Sequence, residues 1–540
     1  MSAKVLSPKS ALRRFGFRQA LKGALIVGLL AGGMGSLQEY AYTATYPDAS
    51  SRLQFKASLA SAPSLGVIYG EAKDLPTPAG YMAYRTGMFL TIIASIWGLM
   101  TATRLLRGQE EDGRWELIAS GSTTAKGASA QVFIGFMLAF ALAFVLSAAS
   151  MTLSGLLPGV DAPSFAGLYL SLAIFVPAAL FAALGFFVSQ LSVTRRRALS
   201  YGLVPLLLFF VLRTIGNTVP DLHWLKMYTP FGWTELSYPT TDPQLAWLLP
   251  AVAMIPVLIA VSLRWAKKRD LGAGMLPESS AAKPHYFLLG SPLALALRQN
   301  SVQFVSWAVG AIFVSALMAQ IASIAADAAA DSPSLKQAIV QLGGSQNLAV
   351  AFIGAGFVFL VIVLLLMTTS AMGSIRSSEA KNQLDNLLVQ PVRRSSWLIS
   401  RILLVIVTTI VISLACIIAT WAMAGAQGIE LELGKLLAIA VALTGTVILT
   451  LGFGVLLYGI WPRLAVIGMY CVVAWSFLID MIGSVVKLSD FFVKSSLFHY
   501  VSISPIEAPN WSTFAWLVSL GTIMTVIGVV TFAKRDIISE

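Results

Sequence analysis

The chain has 540 residues, of which 57% are hydrophobic and 11% are charged, and its mean hydropathy is +0.78. Soluble proteins carry about 25% charged residues, so this composition excludes an ordinary soluble domain and indicates an integral membrane protein. The net charge is +12. No basic patch interleaved with aromatic residues accompanies it, which excludes nucleic-acid binding.

Apolar windows of about 20 residues predict twelve membrane-spanning helices, and hence an all-α integral membrane fold. The predicted spans are 19–40, 86–103, 128–157, 165–190, 199–217, 245–264, 302–324, 349–370, 397–424, 435–459, 464–484 and 512–533. The N-terminal run lacks a signal-peptide cleavage site and is therefore kept as the first span. Most Lys and Arg residues are cytoplasmic if both termini lie inside, as the positive-inside rule requires.

The order of elements repeats with an offset of 269 residues, which places Glu110 on Glu379 and Glu116 on Asp385. We predict two parallel six-span repeats, 1–264 and 293–540, joined by a cytoplasmic hinge at 265–292. Each repeat starts with a lead-in segment before its first span, at 10–22 and 292–300.

The chain lacks the common catalytic motifs. It has no phosphate-binding loop, no metalloprotease motif and no nucleophile elbow. Cys416 and Cys471 lie within predicted spans, so neither a disulfide framework nor a cysteine metal site is expected. The sequence therefore predicts a protein that is not an enzyme and holds no cofactor or metal of its own.

Two polar stretches, 108–126 and 378–397, follow the second span of each repeat. In the first, Glu110 and Arg114 fall on one face at helical spacing, beside a stripe containing Glu111 and Trp115. A tryptophan of this kind can fill a partner's pocket. The alternative interpretation is a solvated loop with a tryptophan at the lipid interface. The predicted docking residues are Glu110, Glu111, Arg114, Trp115, Glu116, Glu379, Asp385, Arg393 and Arg394.

The outer segments 220–233 and 497–505 combine aromatic residues, a histidine and a Thr-Pro or Ser-Pro step. This pattern predicts short helices that lie in the outer interface or dip into the membrane. Arg213 and Asp480 sit late in spans five and eleven, where snorkelling is the favoured interpretation and an outer-gate ion pair the alternative. The candidate outer-gate residues are Arg213, Asp480, Pro230, Phe231, Trp233 and Pro505.

The stretch Glu110-Glu-Asp-Gly-Arg-Trp-Glu-Leu117, its counterpart at 378–397 and the Thr-Pro-Phe-Gly-Trp stretch at 229–233 carry a family resemblance. The chain resembles the ABC-type export permeases, and more narrowly the fused twelve-span permeases that export polyketide and tetracycline-like antibiotics. The second stretch departs from the pattern, with Ala380 in place of the second glutamate and Asn386 in place of the leucine.

This resemblance implies amphipathic connecting helices, cytoplasmic coupling helices and short outer re-entrant helices. It implies an exporter of hydrophobic or amphipathic compounds (antibiotics, drugs or lipids) in a bacterial plasma membrane. Two copies of a separately encoded ABC ATPase would dock on the coupling helices and bind ATP and Mg. The alternative is an ion-coupled twelve-span secondary transporter of small molecules, which requires buried titratable residues near the midplane. A membrane-embedded enzyme or scaffold is a third possibility, without a catalytic cluster to support it.

Overall fold

The computed structural model describes residues 7–60, 69–70, 73–119, 124–158, 160, 162–240, 242–276, 287–320, 322, 347–380, 384, 389, 393–483, 489–501, 504–505 and 508–536. For 57–60, 117–119, 218 and 480–483 it describes the backbone alone. These residues form helices and connections, and no strand occurs among them. The predicted all-α class is confirmed.

Twelve helices in this part of the chain are long and apolar enough to cross a membrane, as predicted. In chain order, spans 1 to 12 are Pro8–Thr45, Pro78–Glu111, Ala125–Gly155, Ala166–Leu191, Arg195–Asn217, Leu245–Lys268, Pro292–Gln320, Leu348–Ala380, Arg394–Ala426, Leu433–Ile460, Pro462–Ile479 and Trp511–Lys534. Shorter helices cover Ala49–Ala60, Arg114–Ala119, Pro220–Tyr228, Pro230–Leu236, Asp490–Ser495 and Leu497–Tyr500. The chain is thus a multi-pass membrane protein.

Local capping residues explain where several spans begin. The side chains of Ser7, Thr77, Thr124 and Thr194 each accept a hydrogen bond from a backbone N–H of the first helical turn. Such bonds satisfy N–H groups that have no partner inside the helix. Proline follows Ser7 and Thr77, at the helix position where its missing N–H costs least.

The predicted lead-in segments are not separate elements. Span 1 runs unbroken for 38 residues from Pro8 to Thr45, and span 7 runs for 29 residues from Pro292 to Gln320. After its first residue neither helix contains a proline that would interrupt the backbone hydrogen bonds. Each lead-in is therefore the first part of a membrane-spanning helix.

Contacts divide the chain into a first unit, Met1–Ala282, and a second unit, Lys283–Glu540. In the first unit, span 1 packs on span 3, span 2 on span 4, and span 4 on span 6. The second unit has the same neighbours at matching positions: span 7 with span 9, span 8 with span 10, and span 10 with span 12. Small residues allow close approach, since a Cβ at Gly28 would lie 2.8 Å from the carbonyl oxygen of Ala143.

Residues 269–276, which the sequence assigns to the hinge, are attached to the first unit. The backbone N–H groups of Met275 and Leu276 donate to the carbonyls of Gln190 and Leu191, each at 3.0 Å. This segment folds back over the end of span 4. Most of the remaining predicted hinge, residues 277–286, lies outside the described residues.

Candidate functional site at the predicted cytoplasmic end

The first polar stretch is not one helix. Span 2 widens into a π-helical turn at Arg104–Gly108 and ends at Glu111. Gly113 then adopts a φ of +74°, a backbone conformation that favours glycine, before a second helix covers Arg114–Ala119. The predicted common face of Glu110 and Arg114 is therefore wrong, because the turn at Gly113 separates them.

Glu110 forms a buried ion pair with Arg269, the residue that follows span 6. The two guanidinium Nη atoms of Arg269 donate to the two carboxylate oxygens of Glu110 at 2.6 Å each. Arg107 Nη1 lies 3.0 Å from the same carboxylate, and the Gly272 N–H donates to it at 2.7 Å. The Glu110 side chain is 4% exposed. This first Glu–Arg pair fixes the end of span 2 to the end of span 6.

The second unit has an equivalent pair. Arg535 follows span 12, and its Nη1 and Nη2 donate to the two oxygens of Glu379 at 2.8 and 2.9 Å. The Tyr458 hydroxyl donates to Glu379 at 2.6 Å, and the Glu379 side chain is fully buried. Arg269 and Arg535 cap their helices with nearly the same backbone angles, φ/ψ of −92°/150° and −81°/159°. Both units therefore join their second and sixth spans in the same way.

Trp115 does not fit its predicted role as a free docking anchor. It is 4% exposed and belongs to the hydrophobic core of the first unit. Leu384, the residue at the matching position of the second repeat, is fully buried in that unit's core. These residues hold the polar stretches to their own bundles.

Other predicted docking residues do face solvent. Glu111, Arg114 and Glu116 are exposed, as is Asp112 between them. Glu111 accepts a hydrogen bond of 2.8 Å from the backbone N–H of Arg195 and so contacts the start of span 5. In the second unit Arg393 is exposed, and Arg394 donates to the Arg535 carbonyl at 3.1 Å. Asp385 lies outside the described residues. An exposed surface of mainly acidic character thus remains in the first unit.

Arg213 does not snorkel to the membrane surface. Its side chain is fully buried and forms an ion pair with Glu235, which also accepts from Asn217 Nδ2 at 3.0 Å. Glu235 belongs to the short helix Pro230–Leu236, in which Pro230, Phe231 and Trp233 are buried. The short helix is therefore held against span 5 within the first unit.

The other outer-gate candidates belong to the second unit. Pro505 is buried. The side chain of Asp480 lies outside the described residues, so the suggested pair with Arg213 stays a prediction.

Sequence reasoning missed Arg269 and Arg535, although a signal was present. Both lie in a Lys-Arg-Asp triplet at the end of the last span of their repeat, at Lys268–Asp270 and Lys534–Asp536. Each glutamate also follows an arginine by three residues, Arg107 or Arg376. Two repeated patterns of opposite charge, at helix ends expected on the same membrane side, would have predicted the pairing.

The chain is similar in sequence to a known membrane transport protein. Residues 289–533 match the family model described as the C-terminal domain of the multidrug efflux system permease Rv1217c. The chain is also 25% identical to the multidrug efflux system permease protein Rv1217c of Mycobacterium tuberculosis (strain ATCC 25618 / H37Rv), over 97% of this chain and 94% of the relative. The resemblance to drug-efflux permeases drawn from the sequence is confirmed: the chain is similar over nearly its whole length to a mycobacterial multidrug efflux permease.

Proposed function

We propose that this chain is the membrane permease of an ATP-driven ABC exporter that moves hydrophobic or amphipathic compounds out of a bacterial cell. Two copies of a separately encoded ATPase would dock at its cytoplasmic end, with ATP and Mg bound to those subunits. The similarity to a named multidrug efflux permease supports the efflux function.

The duplicated Glu–Arg pair is the observation that carries this proposal. A buried, bidentate ion pair joins the end of span 2 to the end of span 6, and its copy joins spans 8 and 12. A force applied to the polar stretch after span 2 or span 8 reaches the last span of the same unit directly. Such a connection is what a transport subunit without its own ATP site requires.

The exposed surface of the first polar stretch supports a docking role. Asp112 and Glu116 are exposed on either side of the buried Trp115. The tryptophan fixes the stretch to the bundle while the carboxylates face outward. A partner surface with basic residues would be steered to it electrostatically.

The test is ATP hydrolysis by the chain reconstituted with its ATPase, taken from a neighbouring gene that encodes a phosphate-binding loop. We expect Asp112→Lys combined with Glu116→Lys to weaken binding of the ATPase by at least about tenfold, because both charges reverse at the interface. Asp221→Lys combined with Glu430→Lys, two exposed residues on the predicted outer side, is the matched control. Full binding and full ATPase stimulation by the first variant would contradict the docking assignment.

The ion-coupled carrier is the second candidate, and Glu39 is the residue that favours it. Glu39 is fully buried in span 1 and accepts from Ser154 Oγ at 2.6 Å, while its Oε1 has no hydrogen-bond partner among the described residues. It lies near the last turn of the span, beside the end of span 3 at Gly155, and so nearer the predicted outer surface than the midplane position that such a carrier requires. Transport that persists without ATPase and stops in Glu39→Gln would support the carrier and refute the exporter.

A further inference from the structure

The first unit contains a cavity of about 1020 Å³ between span 1, span 2 and the first residue of span 5. Its lining divides into two chemical groups. The basic and polar group comprises Arg14, Arg18, Gln19, Lys22, Thr101, Arg104 and Arg195, and the other residues are Ala11, Phe15, Gly23, Ile93, Ile96, Trp97 and Met100. None of the predicted docking residues lines it, but Arg195, whose backbone N–H donates to Glu111, does.

Among the described residues, the lining of the cavity has five cationic side chains and no acidic one. Arg14, Arg18 and Lys22 are spaced four residues apart on one helix, an arrangement in which like charges destabilise a helix. The Nε atom of Arg195 is buried and has no hydrogen-bond partner among the described residues. The nearby carboxylate of Glu111 contacts the Arg195 backbone N–H instead. An anion in the cavity would offset this excess of positive charge.

The apolar lining contributed by span 2 lies deeper along that span than Arg104. Arg104 Nη2 donates to the carbonyl of Gln19 at 3.0 Å, so these two residues lie at a similar depth in spans 2 and 1. Trp97 lies against Gly23, which is one helical turn deeper in the membrane than Gln19. Ile93 lies deeper still, because it precedes Arg104 by 11 residues, or about 16 Å of helix. Ile93 and Met100 are exposed. A ligand that fits this lining has an anionic head and an apolar tail.

The second repeat shows that the packing itself does not require these charges. At the repeat offset Gly373 matches Arg104, and Leu464, which directly follows Arg463, matches Arg195. The lead-in of the second repeat, 292–300, carries Arg298 as its one cationic residue. Since matching helices pack together in both repeats, this packing does not depend on the full set of cations in the first repeat.

We propose that this cavity binds the headgroup of an anionic phospholipid from the inner leaflet. The phosphate lies among Arg18, Arg104 and Arg195, and the acyl chains extend along Ile93 and Met100. Basic pockets between membrane helices on the cytoplasmic side recognise phospholipid headgroups in this way. This site does not depend on whether ATP drives transport.

Trp97 provides a direct probe, because its indole lines the cavity. The full chain is reconstituted in phosphatidylcholine containing a minor fraction of brominated phosphatidylglycerol or, separately, brominated phosphatidylcholine. The contribution of Trp97 is the difference in tryptophan fluorescence between the unaltered chain and the Trp97→Phe variant. We expect brominated phosphatidylglycerol to quench this signal strongly at a fraction where brominated phosphatidylcholine does not.

The cavity variant combines Arg18→Gln, Arg104→Gln and Arg195→Gln. We expect it to bind phosphatidylglycerol roughly 100-fold more weakly, since each cation near the membrane surface contributes several-fold in affinity. Its control removes three exposed cations outside the cavity, by Arg196→Gln, Lys267→Gln and Lys268→Gln, and should leave quenching unchanged.

Three results would overturn the proposal. Equal quenching by the two brominated lipids in the unaltered chain would show that the site does not select an anionic headgroup, whether or not the variants fold. Equal loss of quenching in the control variant would assign the effect to net charge. Displacement of the brominated lipid by soluble glycerol 3-phosphate at equal concentration would show a site for a free anion instead of a lipid.

Discussion

Replacing Glu110 with glutamine should destabilise the first unit substantially. The Glu110 side chain is 4% exposed, and its partners Arg107 and Arg269 are 1% and 9% exposed. Glutamine would leave two guanidinium groups buried side by side without a counter-charge. Removing one member of a buried ion pair costs about 3–5 kcal/mol. The corresponding fall in Tm is roughly 5–8 °C for a unit of this size.

The measurement is thermal denaturation of the purified chain in detergent, completed by a double-mutant cycle with Arg269→Gln. Because the two side chains share two hydrogen bonds, we expect a coupling free energy of about 1–3 kcal/mol. Glu116→Gln, at an exposed position of the same stretch, is the control and should change stability by less than about 0.5 kcal/mol. Strictly additive single variants, or a Glu110 variant as stable as the control, would refute the pairing.

Three further substitutions test other contacts. Trp115→Ala should lower the unfolding free energy by about 3–5 kcal/mol, since the indole is buried in the core; lost ATPase binding at unchanged stability would restore it as a docking anchor. Tyr458→Phe removes a buried hydrogen bond of 2.6 Å to Glu379 of the second Glu–Arg pair and should lower the unfolding free energy by about 1–3 kcal/mol. The same denaturation assay measures this loss, and an unchanged Tm would contradict it. Gly452→Ala places a Cβ against the backbone of Gly521 in span 12 and should cost about 1–3 kcal/mol, whereas Gly373→Ala, with nothing within 4 Å, should be tolerated. Equal Tm values for these two glycine variants would contradict the close helix contact.

The spans could be predicted from the sequence because a membrane imposes one length on every crossing helix. Their limits were less accurate. Span 1 begins at Pro8 where hydropathy predicts residue 19, since the cationic first turns continue the same helix. Hydropathy reports the part of a helix that lies in lipid, and capping residues such as Ser7 report where the helix begins.

The sequence directed attention to the polar stretches, but it did not predict which contacts their residues form. Helical spacing predicted a common face for Glu110 and Arg114, and the positive φ of Gly113 prevents it. The partner of Glu110 is Arg269, 159 residues further along the chain. A single sequence without its fold gives no distance between such residues. Tryptophan is typical of interfaces and of cores alike, and only burial distinguishes the two for Trp115.

The unbroken first helix has a mechanical consequence. Its 38 residues extend for about 57 Å, nearly twice the thickness of the hydrocarbon layer. A rigid rod of that length moves one end by about 5 Å when it tilts by about 5° around the other. A small rotation near Thr45 would therefore displace Arg14 and Arg18 by more than the width of an atom. A movement at one face of the membrane can therefore be transmitted to the other face through this single helix.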